Sequence, residues 1–422
     1  MLSVEDNERL TRVGPGTPMG EMLREYWLPA CRAAKLEVEG APERVRLLGE
    51  NFVAYRGSDG RVGFIAEACP HRCTSMALAR NEGDGLRCIF HGWKVSIEGK
   101  CVDAPTEPAD RRERFAELVP VRSCPVREAG GLIWAYLGRR KDNPPPFPEF
   151  EFNLLPAAHV LPRRGLLHAN WLQGLEALLD SAHVSYLHRQ YERPPGEGVM
   201  GKESGYIRDN GAPEFEFEDR PYGFTEGALR RQADGVCYAR IREVALPFYS
   251  FIPFGPDWPG VMVCSIPVDD EWTAQWYVSF NTKAPMDPAF VAQFNPDSGD
   301  PDYFNSNMGG PENLWNQDRA AMKAGHWSGI IGGGNPYEDF AVQESMGPIV
   351  DRSTEFLGTC DAVIVHARRM LLAGLKRFEQ TGAPPFAGPD VDFAHIRAIA
   401  FAYPEDRDWR EIDAFNPPSI AA

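Results

Sequence analysis

The chain has 422 residues, 43% hydrophobic and 25% charged, so it can bury a sizeable core and divide into two or more domains. Asp and Glu number 60 against 44 Lys and Arg, a formal net charge of −16. That balance excludes a general nucleic-acid binder, which needs a basic face for phosphates. No apolar run reaches the roughly 18 residues of a membrane-spanning helix. The opening MLSVEDNERLTRVGPG lacks the basic-then-apolar order of a secretory signal, so a cytoplasmic protein with no membrane partner is expected. Nine cysteines, an odd number spread over a long chain, do not suggest a disulfide framework.

The first forty residues read as a helical lead-in, with Thr17 capping a helix through PMGEMLREYWLPA and Pro18 at its first position. Residues 44–56 read as two short strands around a Gly-Glu-Asn turn. RVGFIA (61–66), LRCIF (86–90) and GGLIWAYLG (130–138) are further short strands. Frequent turns between short strands predict a small β domain. PPPFP at 144–148 excludes regular structure and marks a boundary. Beyond it, Trp171, Leu175, Leu178, Leu179 and Ala182 recur at helical spacing. TEGALRRQ and VCYARIREVALPFYSFIPF flank Ala233-Asp234-Gly235, which reads as a hairpin turn. WTAQWYVSFN (272–281) is another strand, and CDAVIVHARRMLLAGLKRFE (360–379) is the clearest helix.

Two short motifs carry metal chemistry. Residues 69–71 are Cys-Pro-His and 88–91 are Cys-Ile-Phe-His, followed by Gly92-Trp93. Two cysteines and two histidines can hold zinc or a Rieske cluster, and their distribution decides between the two. A zinc finger puts both cysteines in one pair and both histidines in the other. Here each segment carries one of each. A Rieske [2Fe–2S] cluster takes both thiolates on one iron and both imidazoles on the other, so Cys69, His71, Cys88 and His91 on two loops suit it. Further on, His183 and His188 lie five residues apart. Five positions turn a helix by roughly 500°, about 140° past a full turn, so the two imidazoles converge only if the helix ends or bulges between them. Two histidines and a carboxylate with open positions form the facial triad of non-haem Fe(II) oxygenases. Periodicity cannot choose the carboxylate among 60 acids.

CPHRCTSM and CIFHGWKVSIEGKCVDAP resemble the two cluster loops of the Rieske non-haem iron oxygenases, and NWLQGLEALLDSAHVSYLH (170–188) resembles the iron-binding helix of that family's phthalate-dioxygenase-type branch. The resemblance runs from GPGTPMGEMLREYW to VQESMGPIVDRS and the helix after it. It implies an α+β fold: a lead-in over 1–40 packing on the catalytic domain, an all-β Rieske domain over 41–148, and a catalytic domain over 149–422 with an antiparallel sheet flanked by helices. It implies that His183 and His188 bind a mononuclear Fe(II) and that Asp339, in EDFAVQESMGPI, is the third ligand, with Glu338 and Glu344 as competitors. Gly332–Gly334 upstream let the chain approach a metal closely. Asp180 is implied to bridge a Rieske histidine of one subunit to an iron histidine of its neighbour, in a head-to-tail trimer or a dimer of trimers. Cys73 departs from the family, where a small residue such as Gly is usual, and is read as a small buried thiol.

The activity implied is that of a terminal oxygenase that dihydroxylates an arene with O2. The sequence carries no dinucleotide fingerprint, so electrons from NAD(P)H come through a separate reductase, of flavin and [2Fe–2S] type in this branch. Arg72, Arg80, Arg87, Lys94 and Lys100 form a local basic cluster around the Rieske loops that could steer an acidic reductase or be a solvated face. Arg240 and Arg242 share a strand face, with Arg230 and Arg231 on the partner strand, so Arg240, Arg242 and Arg231 are the candidates for holding an aromatic carboxylate. Other readings stay open: a monooxygenase acting by O-demethylation or ring hydroxylation, an angular dioxygenase of a diaryl ether carboxylate, and a Rieske electron carrier without catalysis.

Overall fold

In the computed structural model, which describes residues 2–189, 201–256, 258–289 and 300–412, the lead-in divides. Ser3 caps helix α1 (Val4–Thr11), and the Thr17 hydroxyl accepts from Gly20 N–H to cap α2 (Pro18–Leu23). The helix expected to run on through WLPA stops at Leu23, and Trp27–Arg32 form strand β1. Pairing with β10 outweighs local helix preference there, because both faces of this segment are buried. Pro29, which has no N–H to give, sits beside the register shift of that pair. Residues up to Arg12 belong with the chain from Pro148 onward, and Val13–Phe147 form a second unit. The lead-in is therefore not one piece packed on the larger domain: residues 13–40 are part of the smaller one.

The smaller unit is built from short antiparallel strands: β2 (Glu43–Leu47), β3 (Glu50–Arg56), β4 (Val62–Ala66), β5 (Arg80–Glu82), β6 (Gly85–Arg87), β7 (Lys94–Ser96), β8 (Cys101–Asp103), β9 (Val126–Ala129) and β10 (Leu132–Tyr136), with helix α3 (Arg112–Glu117) between β8 and β9. They pair as β1–β10–β9, β2–β3–β4 and β5–β6–β7–β8. The β2–β3 turn falls on Leu48-Gly49, both at positive φ, one step earlier than the Gly-Glu-Asn reading. A core of Val53, Tyr55, Ile65, Met76, Leu86 and Val95 includes Cys69 and Cys88, so the two cysteines are anchored by burial before any chemistry is asked of them.

The larger unit holds one antiparallel sheet of β11 (Val160–Leu167), β12 (Glu214–Arg220), β13 (Gly223–Arg231), β14 (Val236–Ala245), β15 (Tyr249–Phe251), β16 (Gly260–Pro267), β17 (Thr273–Phe280) and β18 (Ile399–Pro404). The order is β11–β17–β16–β15–β14–β13–β12, with β18 also on β14. Helix α4 (Trp171–Leu179) packs on β16, where Gly174 permits close approach: a Cβ there would meet Ser265 Oγ at 2.7 Å. Asn170 caps α4 and also donates to Thr11 O, while Trp171 Nε1 donates to Leu10 O, tying α1 to α4. Glu176, Arg352 and Arg368 form an ion-paired cluster that fixes the last turn of α4. Asn335–Ser345 form α5 and Ala362–Thr381 form α6, which ends on Gly382 in the left-handed region. Among the described residues no helix is long and apolar enough to cross a membrane.

Candidate functional site

The two Cys/His loops have the same backbone design. Cys69 follows β4 and Cys88 follows β6, so each loop hangs from a strand end. In the first loop Cys69 N–H donates to Thr74 O at 2.8 Å and Cys69 O accepts from Cys73 N–H at 2.9 Å. In the second, Cys88 N–H donates to Trp93 O and Cys88 O accepts from Gly92 N–H, both at 2.9 Å. The fourth residue after each cysteine turns the chain back in the left-handed region: Gly92 at φ 77° and Cys73 at φ 59°. Position 73 thus asks for the conformation glycine adopts freely. Cys73 is also exposed, not the buried thiol expected.

Burial pushes the Cys69 thiol up to about 11, and Cys88 beside it adds to the shift. A metal that replaces both thiol protons would remove that cost. The rings of His71 and His91 meet edge to face, 4.5 Å between centroids, and His71 stacks on Trp93 at 4.5 Å and 6°. Trp93 is itself held by its Nε1 donating to Thr106 Oγ1. His71 Nδ1 is buried without a hydrogen-bond partner among the described residues. Two adjacent thiols, two adjacent imidazoles and an orphaned ring nitrogen fit a [2Fe–2S] cluster of Rieske type. Ile89 and Phe90 at the second loop's tip are more than half exposed. The basic cluster around the loops is largely neutralised locally. Arg80 pairs with Glu82, Arg87 with Glu82 and Asp103, and Lys94 with Asp84.

In the larger unit, α4 ends at Leu179 and Asp180 breaks it with extended backbone angles. The chain then makes a 3-10 turn over His183–Ser185. The helix thus stops before the first histidine, which removes the 140° mismatch and lets His183 Nε2 approach His188 Nε2 to 3.2 Å. Asp339, on α5, completes the group: its Oδ1 lies 3.1 Å from His188 Nε2 and 3.6 Å from His183 Nε2. The three ligand atoms all fall within 4.8 Å of one another, a donor set that fits a facial two-histidine, one-carboxylate site. Glu338, one residue earlier, has no exposed surface and accepts from the opposite nitrogen, His188 Nδ1, at 2.9 Å. Its other oxygen accepts from Ser328 Oγ. Glu344 accepts from His168 N–H and Trp315 Nε1, away from the histidines. Burial lowers the His183 pKa, and the charge of His188 adds to that. Burial acts against protonation of His188 too, but Asp339 and then Glu338 override it and raise that imidazole to about 9. Asp339 stays low despite burial, because His188 and His183 face it.

Asp180 Oδ1 accepts from Ala182 N–H at 2.7 Å and His183 N–H at 3.3 Å, closing the turn. Its Oδ2 stands 3.8 Å from His183 Nδ1, and the side chain is about a third exposed. It caps the turn and faces an iron-site candidate at once.

A cavity of about 180 Å³ opens on His183, His188 and Asp339. Its body is apolar, with Leu178, Val184, Phe254, Trp258 and Val263 on the wall. Phe248, Tyr249 and Phe251 are core residues instead. Arg240 and Arg242 line the cavity. Arg242 is already engaged, by Glu226 at 2.9 Å and by the carbonyl of Leu179. Arg240 is 3% exposed, and among the described residues no hydrogen bond or ion pair engages its guanidinium. Arg231 is not brought to the cavity: it is half-exposed, pairs with Glu214 and donates to Glu405 O. The strand pattern explains the split, because Arg230 and Arg231 point to opposite faces. Sequence reasoning missed Arg163 and Tyr277, which also line the cavity, and the role of Glu338 beside His188. Nothing in VLPRRGLL distinguishes Arg163 from its exposed-looking neighbour.

Comparison with known proteins identifies the family. Residues 26–125 match the Rieske [2Fe–2S] domain and residues 135–419 match the LigXa C-terminal domain like family. The chain is 34% identical to the 3-chlorobenzoate-3,4-dioxygenase oxygenase subunit of Comamonas testosteroni, over 97% of each chain. It is 34% identical to the phthalate 4,5-dioxygenase oxygenase subunit of Pseudomonas putida, over 98% of this chain and 95% of that one. Among solved structures, a caffeine-bound mutant of NdmA from Pseudomonas putida CBB5 shares the fold, with a TM-score of 0.59 and 18% identity over 89% of this chain and 99% of that one. With a Rieske domain, a second family model over most of the chain and full-length relatives, the protein belongs to the Rieske non-haem iron oxygenases of the phthalate-dioxygenase-type branch, as the terminal oxygenase subunit that uses a [2Fe–2S] cluster and a mononuclear Fe(II) and takes electrons from a separate reductase.

Proposed function

We propose that this subunit dihydroxylates an aromatic carboxylate to a cis-dihydrodiol. Both atoms of O2 enter the ring, balanced by two electrons and two protons. The electrons begin on NAD(P)H and arrive through a flavin and [2Fe–2S] reductase. The cluster domain runs from Val13 to Phe147 and holds its cluster through Cys69, His71, Cys88 and His91. The catalytic domain holds Fe(II) through His183, His188 and Asp339. When bound, the cluster supplies electrons singly and the iron supplies open positions for O2. The enzyme acts in the cytoplasm as a head-to-tail trimer, in which Asp180 faces both an iron histidine and a Rieske histidine of the neighbour.

The observation that carries the substrate class is Arg240. A buried guanidinium that no described residue engages by a hydrogen bond or ion pair is costly, and a carboxylate arriving in the cavity satisfies it bidentately. The apolar walls then receive the arene body. Relatives named for phthalate and 3-chlorobenzoate support the same class. In this reading Glu338 holds the Nδ1 proton of His188, which leaves Nε2 free to face the metal. The test is a screen of benzoates and phthalates for substrate-dependent O2 uptake with a generic reductase, followed by labelled O2. Incorporation of both oxygen atoms supports the reading. A single labelled atom in the product sinks dioxygenation, and no uptake with any aromatic carboxylate sinks the substrate class.

A further inference from the structure

Three arginines leave the β13–β14 ribbon on one face, and among the described residues Arg240 alone of the three has no hydrogen bond or ion pair. Cross-strand pairs on that face are Glu226 with Arg242, Ala228 with Arg240, and Arg230 with Tyr238. Arg242 donates to the carbonyl of Leu179 and to Glu226. Arg230, with no exposed surface, donates through Nη2 to the carbonyl of Ser181 at 2.5 Å and through Nε to the carbonyl of Asn210 at 3.0 Å. The carbonyls immediately before and after Asp180 are therefore each gripped by a buried guanidinium. The Asp180 carboxylate meanwhile takes the N–H groups of Ala182 and His183.

Two buried cations are an expensive way to pack a sheet against a helix end, since apolar side chains of similar volume do it without desolvating charge. Burial lowers the Arg230 pKa to about 10, a mark of that cost. What the guanidiniums give is direction. Leu179 is the last residue of α4, and its carbonyl has no partner within the helix. Fixing it, and the carbonyl two residues on, removes rotational freedom from the Leu179–Asp180 and Ser181–Ala182 peptides, which bracket Asp180 and Ser181. The segment that leads into His183 is then set from the sheet.

We propose that Arg230 and Arg242 are positioning residues that clamp the two carbonyls flanking Asp180 and so fix the approach of His183 to the mononuclear metal. The proposal rests on the reading of His183 as a ligand. The three arginines then have separate roles, in which Arg240 meets substrate while Arg230 and Arg242 hold the turn.

Arg230 does not line the cavity, so it offers the cleaner test. The full-length protein would be stripped of mononuclear iron anaerobically and titrated with Fe(II), with nitric oxide as the spectroscopic probe of the refilled site. The signal of the reduced Rieske cluster reports that the smaller unit is intact, and a thermal melt matching the wild type reports that the larger one is folded. Arg230→Met is expected to weaken Fe(II) binding about tenfold and to alter the nitrosyl spectrum with the cluster signal unchanged, and Arg230→Lys to recover part of both. Wild-type affinity and spectrum in Arg230→Met overturn the clamp, as does a Lys variant no better than the Met variant. If Arg230→Met does not accumulate, Arg242→Met is read in the same way. His183→Ala separates this from the underlying reading: a wild-type nitrosyl signal there would sink the ligand assignment whatever the arginines do.

Discussion

Glu338→Gln removes one charge from a carboxylate that has no exposed surface and two hydrogen bonds to make. One oxygen accepts from His188 Nδ1 at 2.9 Å and the other from Ser328 Oγ. An amide can accept from one of these donors, but its NH2 must then face the other. Either His188 loses the partner that fixes its tautomer, or Ser328 must turn away. Loss of such a support costs roughly 10–100-fold in metal affinity, about 1.4–2.8 kcal/mol. Proton competition gives a second readout. Without metal, His188 titrates at about 9, so below that pH Fe(II) must displace its proton. Fe(II) affinity of the wild type should therefore rise as pH goes from 6 to 9, and level off above. Removing the Glu338 charge lowers the His188 pKa, so the variant's affinity should level off at lower pH. The assay is anaerobic Fe(II) titration against a chelator at several pH values, with the visible absorption of the cluster as an internal control. A variant within about twofold of wild type, with an unchanged pH profile, would refute the argument.

Three further outcomes follow from the same geometry. Arg240→Met should raise KM for an aromatic carboxylate by about 30-fold or more, the value of a buried charge pair, while iron content stays and kcat changes far less; steady-state O2 uptake measures both. Asp180→Asn keeps the oxygen that caps Ala182 and His183, so both metals should remain, yet reoxidation of the reduced cluster in a single turnover should slow greatly, and an unchanged stopped-flow trace counts against its bridging role. Cys73→Gly should stabilise the protein by about 1 kcal/mol, because the left-handed backbone at φ 59° no longer carries a Cβ; denaturant melts of the holoprotein would register it, and a loss of stability would contradict it.

What sequence could reveal here follows from how local each signal is. The Cys/His loops are legible because all four donors lie within 23 positions, from Cys69 to His91, in an order only one cofactor explains. The helix break before His183 is legible because five-residue spacing cannot converge on an unbroken helix. Asp339 came only through resemblance, and the fold explains why. Glu338 and Asp339 are adjacent on α5, and which of them reaches Nε2 and which Nδ1 of His188 is decided by how that helix meets a turn 150 residues away. The arginines were only half legible for a similar reason. Strand alternation correctly sets Arg240 and Arg242 on one face, but only tertiary contact shows that Leu179 and Glu226 occupy Arg242 while Arg240 stays open. β1 reads as helix because its apolar run is buried on both sides, a pattern that carries neither a period of two nor of 3.6.

In the proposed function His183, His188 and Asp339 hold an iron separate from the cluster. Iron and acid-labile sulfide, counted per chain in the wild type and in Asp339→Ala, test it most directly. About three iron atoms are expected for the wild type and about two for the variant, with sulfide and the Rieske spectrum unchanged. A variant that keeps its third iron, or one that loses cluster iron instead, would contradict it.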